Sequence, residues 1–124
     1  MLQVAQYLRD RRPGAKVILH GLLPRSDDRA AVPRLGRLWQ DILFVNRELR
    51  KLCNLHEECV YMEAPNLFLR RVRGDPDVNG EEGATEGRGE VVINTETMPD
   101  GLHPSVKGYE LWSQQIVKVV TELL

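Results

Sequence analysis

Val17-Ile18-Leu19-His20-Gly21-Leu22-Leu23-Pro24-Arg25 opens as an unbroken apolar run and ends in a loop marked by glycine and proline. A strand with water on one face alternates apolar and polar residues, whereas a continuous run suits a strand covered on both faces, as in a parallel sheet. Lys16 to His20 is therefore predicted as a strand. Gly21 to Arg25 becomes the loop at its carboxyl end, the edge of an open α/β sheet that carries ligand sites.

The flanking segments fit that reading. Met1, Val4, Ala5 and Leu8 recur at helical spacing, and Pro13-Gly14 ends the pattern before the strand. From Leu35 onward, Leu38, Trp39, Ile42, Leu43, Asn46, Leu49, Leu52 and Cys53 keep the three-and-four spacing of one helix face, interrupted only by Asn46. Asn46 is either a buried residue that pins a loop or an ordinary packing or partly solvated Asn. Cys59 to Met62 reads as a second strand, and Leu67-Phe68-Leu69 as a short buried segment.

Between Gly74 and Glu90 there are five glycines, six acidic residues and one Arg, which is too little apolar surface to offset the entropy of ordering. The stretch is expected to be a mobile surface loop at about 74–90. Asp75, Asp77 and Asn79 alternate, but the rest of a calcium-loop pattern does not follow. Order is expected again at Val91-Val92-Ile93. A last helix is predicted to begin near Pro104 or Ser105, burying Val106, Tyr109, Trp112, Ile116, Val120 and Leu123, broadened by Leu111 and Val117.

Composition restricts the function classes. The chain has 124 residues, 42% of them hydrophobic, and a formal net charge of -1, so the charge balance implies neither nucleic-acid nor anionic-membrane binding. No run is long enough to span a bilayer. Met1 to Ala5 lacks the basic leader and apolar run of a secretory signal, and Cys53 and Cys59 form no disulfide framework, so a reducing, cytoplasmic compartment is the expectation. Cys53, His56 and Cys59 have a spacing suggestive of zinc but no evident fourth ligand, and packing is the default for them. His20-Gly21 is too short to identify an oxyanion loop, and Arg9, Arg11 and Arg12 suit a solvated helix end.

The chemistry lies in Asp100-Gly101-Leu102-His103-Pro104. A carboxylate and an imidazole three residues apart on a tight turn suit acyl transfer, in which His takes a proton from a Ser hydroxyl and Asp orients the ring. The plain alternative is a helix-start acid beside a capping or surface histidine. Arg25 is read first as solvent-facing, and second as a loop or subunit contact.

Asp-Gly-Leu-His-Pro followed by Ser105-Val106-Lys107-Gly108-Tyr109 and Trp112 resembles the last conserved block of the SGNH, or GDSL-type, ester hydrolases. Val17 to Arg25, with Val45-Asn46 and Leu49 downstream, is similar to the catalytic subunits of the intracellular platelet-activating-factor acetylhydrolases. The resemblance covers nearly all of this chain but only the second half of the family's domain. It implies an α/β class: a partial flavodoxin-like three-layer fold containing the last two parallel strands and three main helices. It further implies that His103 is the general base, Asp100 its orienting partner and Leu102 a lining residue of the acyl pocket. The substrate would be a small acyl ester, with no cofactor or metal. Homo- or hetero-oligomers and a WD-repeat partner follow from the same resemblance.

The family's Gly-Asp-Ser nucleophile block and oxyanion-hole residues have no counterpart. Ser26, Ser105 and Ser113 do not stand in that setting. Residues 1–124 are thus expected to be the second half of one domain, either truncated or in need of a complementary partner, and inactive alone. Two parallel strands would leave an open edge and uncovered helix faces, favouring self-association. A non-catalytic association module is the second expectation.

Overall fold

The computed structural model describes residues 2–73 and 89–124. It is a mixed α/β arrangement of three helices and two small sheets. Helix α1 spans Leu2–Arg11, and Gly14 at φ 83° turns the chain toward strand β1, Val17–His20. Strand β1 pairs in parallel with β2, Cys59–Met62, in the register Val17 with Cys59 through His20 with Met62. Helix α2, Trp39–Asn54, makes the crossover between them. Both predicted strands and their parallel relationship are therefore present.

Helix α2 begins four residues after Leu35. Its buried stripe is Ile42, Asn46, Leu49 and Cys53, while Leu38 and Leu43 remain exposed. The amide of Asn46 pins the loop after β1. Its Oδ1 accepts the Leu22 N–H at 2.7 Å, and its Nδ2 donates to the Leu22 carbonyl at 3.0 Å. Both ends of a buried amide are thereby satisfied, and so is a backbone segment with no strand partner there.

The predicted buried segment around Leu67 divides in two. Pro65–Phe68 forms a 3₁₀ turn, and Leu69–Arg73 forms strand β3, which pairs antiparallel with β4, Gly89–Ile93. The pairing runs from Leu69 opposite Ile93 to Arg73 opposite Gly89. Gly89 and Glu90 thus belong to a strand and not to the loop expected at 74–90. The remainder of that expectation, residues 74–88 with Asp75, Asp77 and Asn79, lies outside the described residues.

Phe68, Ile93 and Met98 form the fully buried centre, with Leu23, Leu35, Leu67 and Trp112 packed around it. Trp112 meets Phe68 edge-to-face, with ring centroids 6.0 Å apart. The turn that carries Asp100 and His103 is tied to this core through Met98, whose carbonyl accepts the Gly101 N–H at 3.2 Å, and Trp112 follows on the next helix.

That helix, α3, runs from Val106 to Leu123, with Ser105 as its N-cap accepting from the Gly108 N–H at 3.1 Å. Its expected start is thus observed, but its expected buried face is only partly so. Gly108 is buried, and Leu111, Trp112, Gln115, Val119 and Leu123 are half-buried. Val106, Tyr109, Ile116, Val117 and Val120 are exposed. Two apolar stripes lie side by side on α3, and the close approach at Gly108 turns the other one inward. A Cβ at Gly108 would collide with the Thr97 carbonyl oxygen. The outward stripe has no covering element among the described residues, just as β1 pairs with β2 alone.

Candidate active site

The site begins with an Asp-Gly turn. Gly101 has φ 73°, a conformation that costs an L side chain steric energy, and a Cβ there would sit 2.7 Å from both Ser26 Cβ and Val32 Cγ2. The Gly101 carbonyl accepts the Ser26 N–H at 2.8 Å, which joins this turn to the loop leaving the carboxyl end of β1. A second frame holds the turn from below. Thr97 Oγ1 donates to the Leu67 and Asn94 carbonyls at 3.0 and 3.2 Å, Ser105 N–H donates to the Thr97 carbonyl at 2.8 Å, and Ser105 Oγ donates to the Glu96 carbonyl at 2.6 Å.

Within this frame Asp100 divides its two oxygens. Oδ1 accepts the backbone N–H groups of Leu102 at 2.9 Å and His103 at 2.7 Å, and Oδ2 meets His103 Nδ1 at 2.8 Å. The sequence offered a helix-start acid and a histidine-orienting acid as rival readings; helix α3 starts later, with Ser105 as its cap, and the Asp100 carboxylate binds the backbone of its own turn and the His103 ring together. Hydrogen bonds to the ionised form hold its pKa well below the usual carboxylate range, led by the His103 backbone N–H, then the His103 ring, then the Leu102 N–H. An ionised carboxylate only accepts, so Nδ1 carries the hydrogen, and in the neutral ring the lone pair falls on Nε2. That is the tautomer a general base requires.

The Asp100 side chain is 22% exposed and that of His103 72%, so the more buried end of the pair is the carboxylate and the open end the imidazole. Arg29 Nη2 stands 3.8 Å from Asp100 Oδ2, but its side chain is 85% exposed, so screening by water leaves it a minor contributor. Leu102 is exposed beside the pair.

None of the chain's three serines is hydrogen-bonded to His103. Ser26 is buried, with its hydroxyl unpartnered; Ser105 Oγ serves as the helix cap; Ser113 Oγ donates to the Tyr109 carbonyl within α3. Arg25 is exposed, and its carbonyl accepts the Gly36 N–H at 2.8 Å. His20 packs against Trp112 with ring centroids 4.9 Å apart, and burial lowers its pKa, which favours the neutral ring. The described residues contain no group of three or more His, Cys, Asp or Glu arranged for a metal ion, and His56 Nδ1 instead lies 3.3 Å from Arg9 Nη1.

Gly101, Ser26 and the Asn94–Thr97–Ser105 frame were not singled out as site residues from sequence. The Asp-Gly dipeptide is the signal that could have identified the left-handed turn. The remaining contacts join residues distant in sequence. No described helix is long and apolar enough to cross a membrane. No protein-family model matches the chain, and no curated protein does either.

Proposed function

We propose that the chain carries the histidine–aspartate half of a Ser-His-Asp ester hydrolase of the SGNH type, on the second half of a flavodoxin-like domain. The observation that carries this reading is the Asp100 carboxylate, held by two backbone N–H groups on one oxygen and directed at His103 Nδ1 by the other. In the reaction, His103 Nε2 takes the proton of a serine hydroxyl as its oxygen attacks the ester carbonyl. The imidazolium, stabilised by Asp100, returns that proton to the departing alcohol. Water then attacks the acyl-enzyme through the same His103, releasing the acid and restoring the serine. Leu102, exposed next to the base, would contact the acyl group.

The nucleophile in this scheme comes from a segment other than Ser26, Ser105 or Ser113. The test mixes the chain with a polypeptide bearing the family's Gly-Asp-Ser half-domain and follows p-nitrophenyl acetate hydrolysis. The expected result is no turnover by either part, turnover by their complex, and loss of turnover with His103→Ala. A stable complex without turnover would overturn the proposal.

The alternative is a non-catalytic association module, favoured by the outward stripe of α3 and by β1 having a single partner among the described residues. Homo- or hetero-oligomer formation, or a WD-repeat partner, belongs to this reading. A complex that forms through these surfaces but never hydrolyses ester supports it over the first.

A further inference from the structure

Helix α2 carries a second stripe beside its buried one. Trp39, Leu43, Arg47 and Arg50 follow one another at helical spacing along a single face, with Phe44 next to them. That face borders a groove whose remaining lining comes mainly from the 3₁₀ turn Pro65–Phe68 and strand β3. Two cavities of about 580 and 370 Å³ make up the groove, and they share Trp39, Leu43, Asn66 and Leu69, so it is continuous. Its apolar part is open to water: Leu43 is 43% and Phe44 56% exposed.

The charge of the groove opposes that of the chain. Among the described residues its lining holds Arg47, Arg50, Arg70 and Arg71 against one carboxylate, Glu63, whereas the chain has a net charge of -1. Glu63 is already engaged by Arg50, whose guanidinium lies 5.0 Å from the centre of the Tyr61 ring. Arg47 lies over the Phe44 ring at 5.3 Å, and the acid beside it, Glu48, is 3.6 Å away but held by Lys51 at 2.9 Å. Arg70 is exposed on β3.

We propose that this groove docks an acidic, amphipathic peptide segment of a partner protein, with carboxylates on Arg47 and Arg70 and apolar side chains against Trp39, Leu43 and Phe44. The groove shares no residue with the Asp100–His103 turn or with the outward stripe of α3, and the proposal does not rest on the hydrolase reading.

Charge complementarity fixes the sign of the occupant. A guanidinium lying over an aromatic face keeps its in-plane N–H groups directed outward, where they match a carboxylate. Covering Leu43 and Phe44 removes apolar surface from water, which a purely anionic ligand does not do. The apolar lining also separates a peptide from a nucleic-acid strand. A phosphodiester chain carries a charge at every nucleotide and would set some of them against Leu43, Leu69 and Val91, whereas a peptide alternates charged and apolar side chains.

The experiment titrates the full chain into fluorescein-labelled probes of about twelve residues and reads anisotropy at low salt. One peptide alternates Glu with Leu and Phe, a second has Lys for each Glu, a third has Ser for each Leu and Phe, and the fourth probe is an oligothymidylate. The Glu-apolar peptide should bind at least tenfold more tightly than each of the other three. Arg47→Glu combined with Arg70→Glu should weaken it at least tenfold, and Phe44→Ser severalfold, with the far-UV circular dichroism of these exposed-site variants unchanged. Binding should also shift tryptophan emission in the wild-type chain and much less in Trp39→Phe. Absence of saturable binding by the Glu-apolar peptide, equal or tighter binding of any other probe, or an affinity unaltered in the double arginine variant would overturn the proposal.

Discussion

Asn46 holds Leu22 by both backbone groups, across 24 residues of chain, and so anchors the loop leaving β1 to the middle of α2. Truncation at Asn46 leaves a partly buried N–H and C=O without partners. Asn46→Ala is expected to cost about 2 kcal/mol, read as a lower urea midpoint with an unchanged slope. Asn46→Asp retains the acceptor but places a carboxylate oxygen against the Leu22 carbonyl, and should be at least as destabilising. A midpoint unchanged in Asn46→Ala would mean that the loop is held by something else.

Gly101 and Gly14 both have positive φ, but only Gly101 is crowded: a Cβ at Gly14 meets nothing within 4 Å. The pair separates backbone strain from packing. Gly14→Ala should cost about 1 kcal/mol from conformation alone. Gly101→Ala adds the collision with Ser26 and Val32 and should cost roughly 3 kcal/mol in thermal or urea unfolding. Equal losses would show that the Ser26 loop yields without penalty.

Asp100 makes stability depend on pH with a definite sign. Its folded-state pKa lies below its unfolded value, so its contribution is complete above the ordinary carboxylate range near pH ~4 and is lost as pH falls through that range toward the folded value. The stability gap between the wild-type chain and Asp100→Asn should therefore be widest near neutrality and narrow toward about pH 3. Unfolding midpoints of both proteins across that interval provide the check. A gap that stays constant would remove the carboxylate's charge from the account.

The outward stripe of α3 predicts association. Val106 is 79% exposed and Val117 63%, with Tyr109, Ile116 and Val120 between and beside them. A contiguous apolar surface of this kind marks an interaction site or an aggregation liability. Val106→Lys combined with Val117→Lys should lower the apparent mass in sedimentation at high concentration, with stability changed by less than about 0.5 kcal/mol per site. Identical sedimentation of both proteins would show that the stripe does not drive association.

The elements legible in the sequence were those whose signals are local. Val17-Ile18-Leu19 and Cys59 to Met62 are short apolar runs, and the parallel relationship follows from the helix between them. Asn46 stood out as the polar interruption of an apolar face, although its partner could not be read from spacing. Strand β3 was obscured by composition, because three of the five residues in Leu69–Arg73 are Arg and neither face is uniformly apolar. Its pairing with β4 is a contact between distant segments. On α3 the pattern identified apolar positions but not which of two adjacent stripes turns inward, a choice made by the fit of Gly108 against Thr97. The Asp100–His103 pair was legible for the opposite reason: a three-residue spacing on a glycine turn leaves few conformations.

The bonds that fix Asp100 to the His103 ring are all made by residues 100–103. The internal geometry of the pair is thus set at the scale of one turn, and long-range folding has only to aim it. A change in a remote strand would alter where His103 points without altering its tautomer. For the hydrolase proposed above, loss of catalysis by misdirection and loss by disarmament would then be distinct failures, and a histidine ring nitrogen spectrum would tell one from the other.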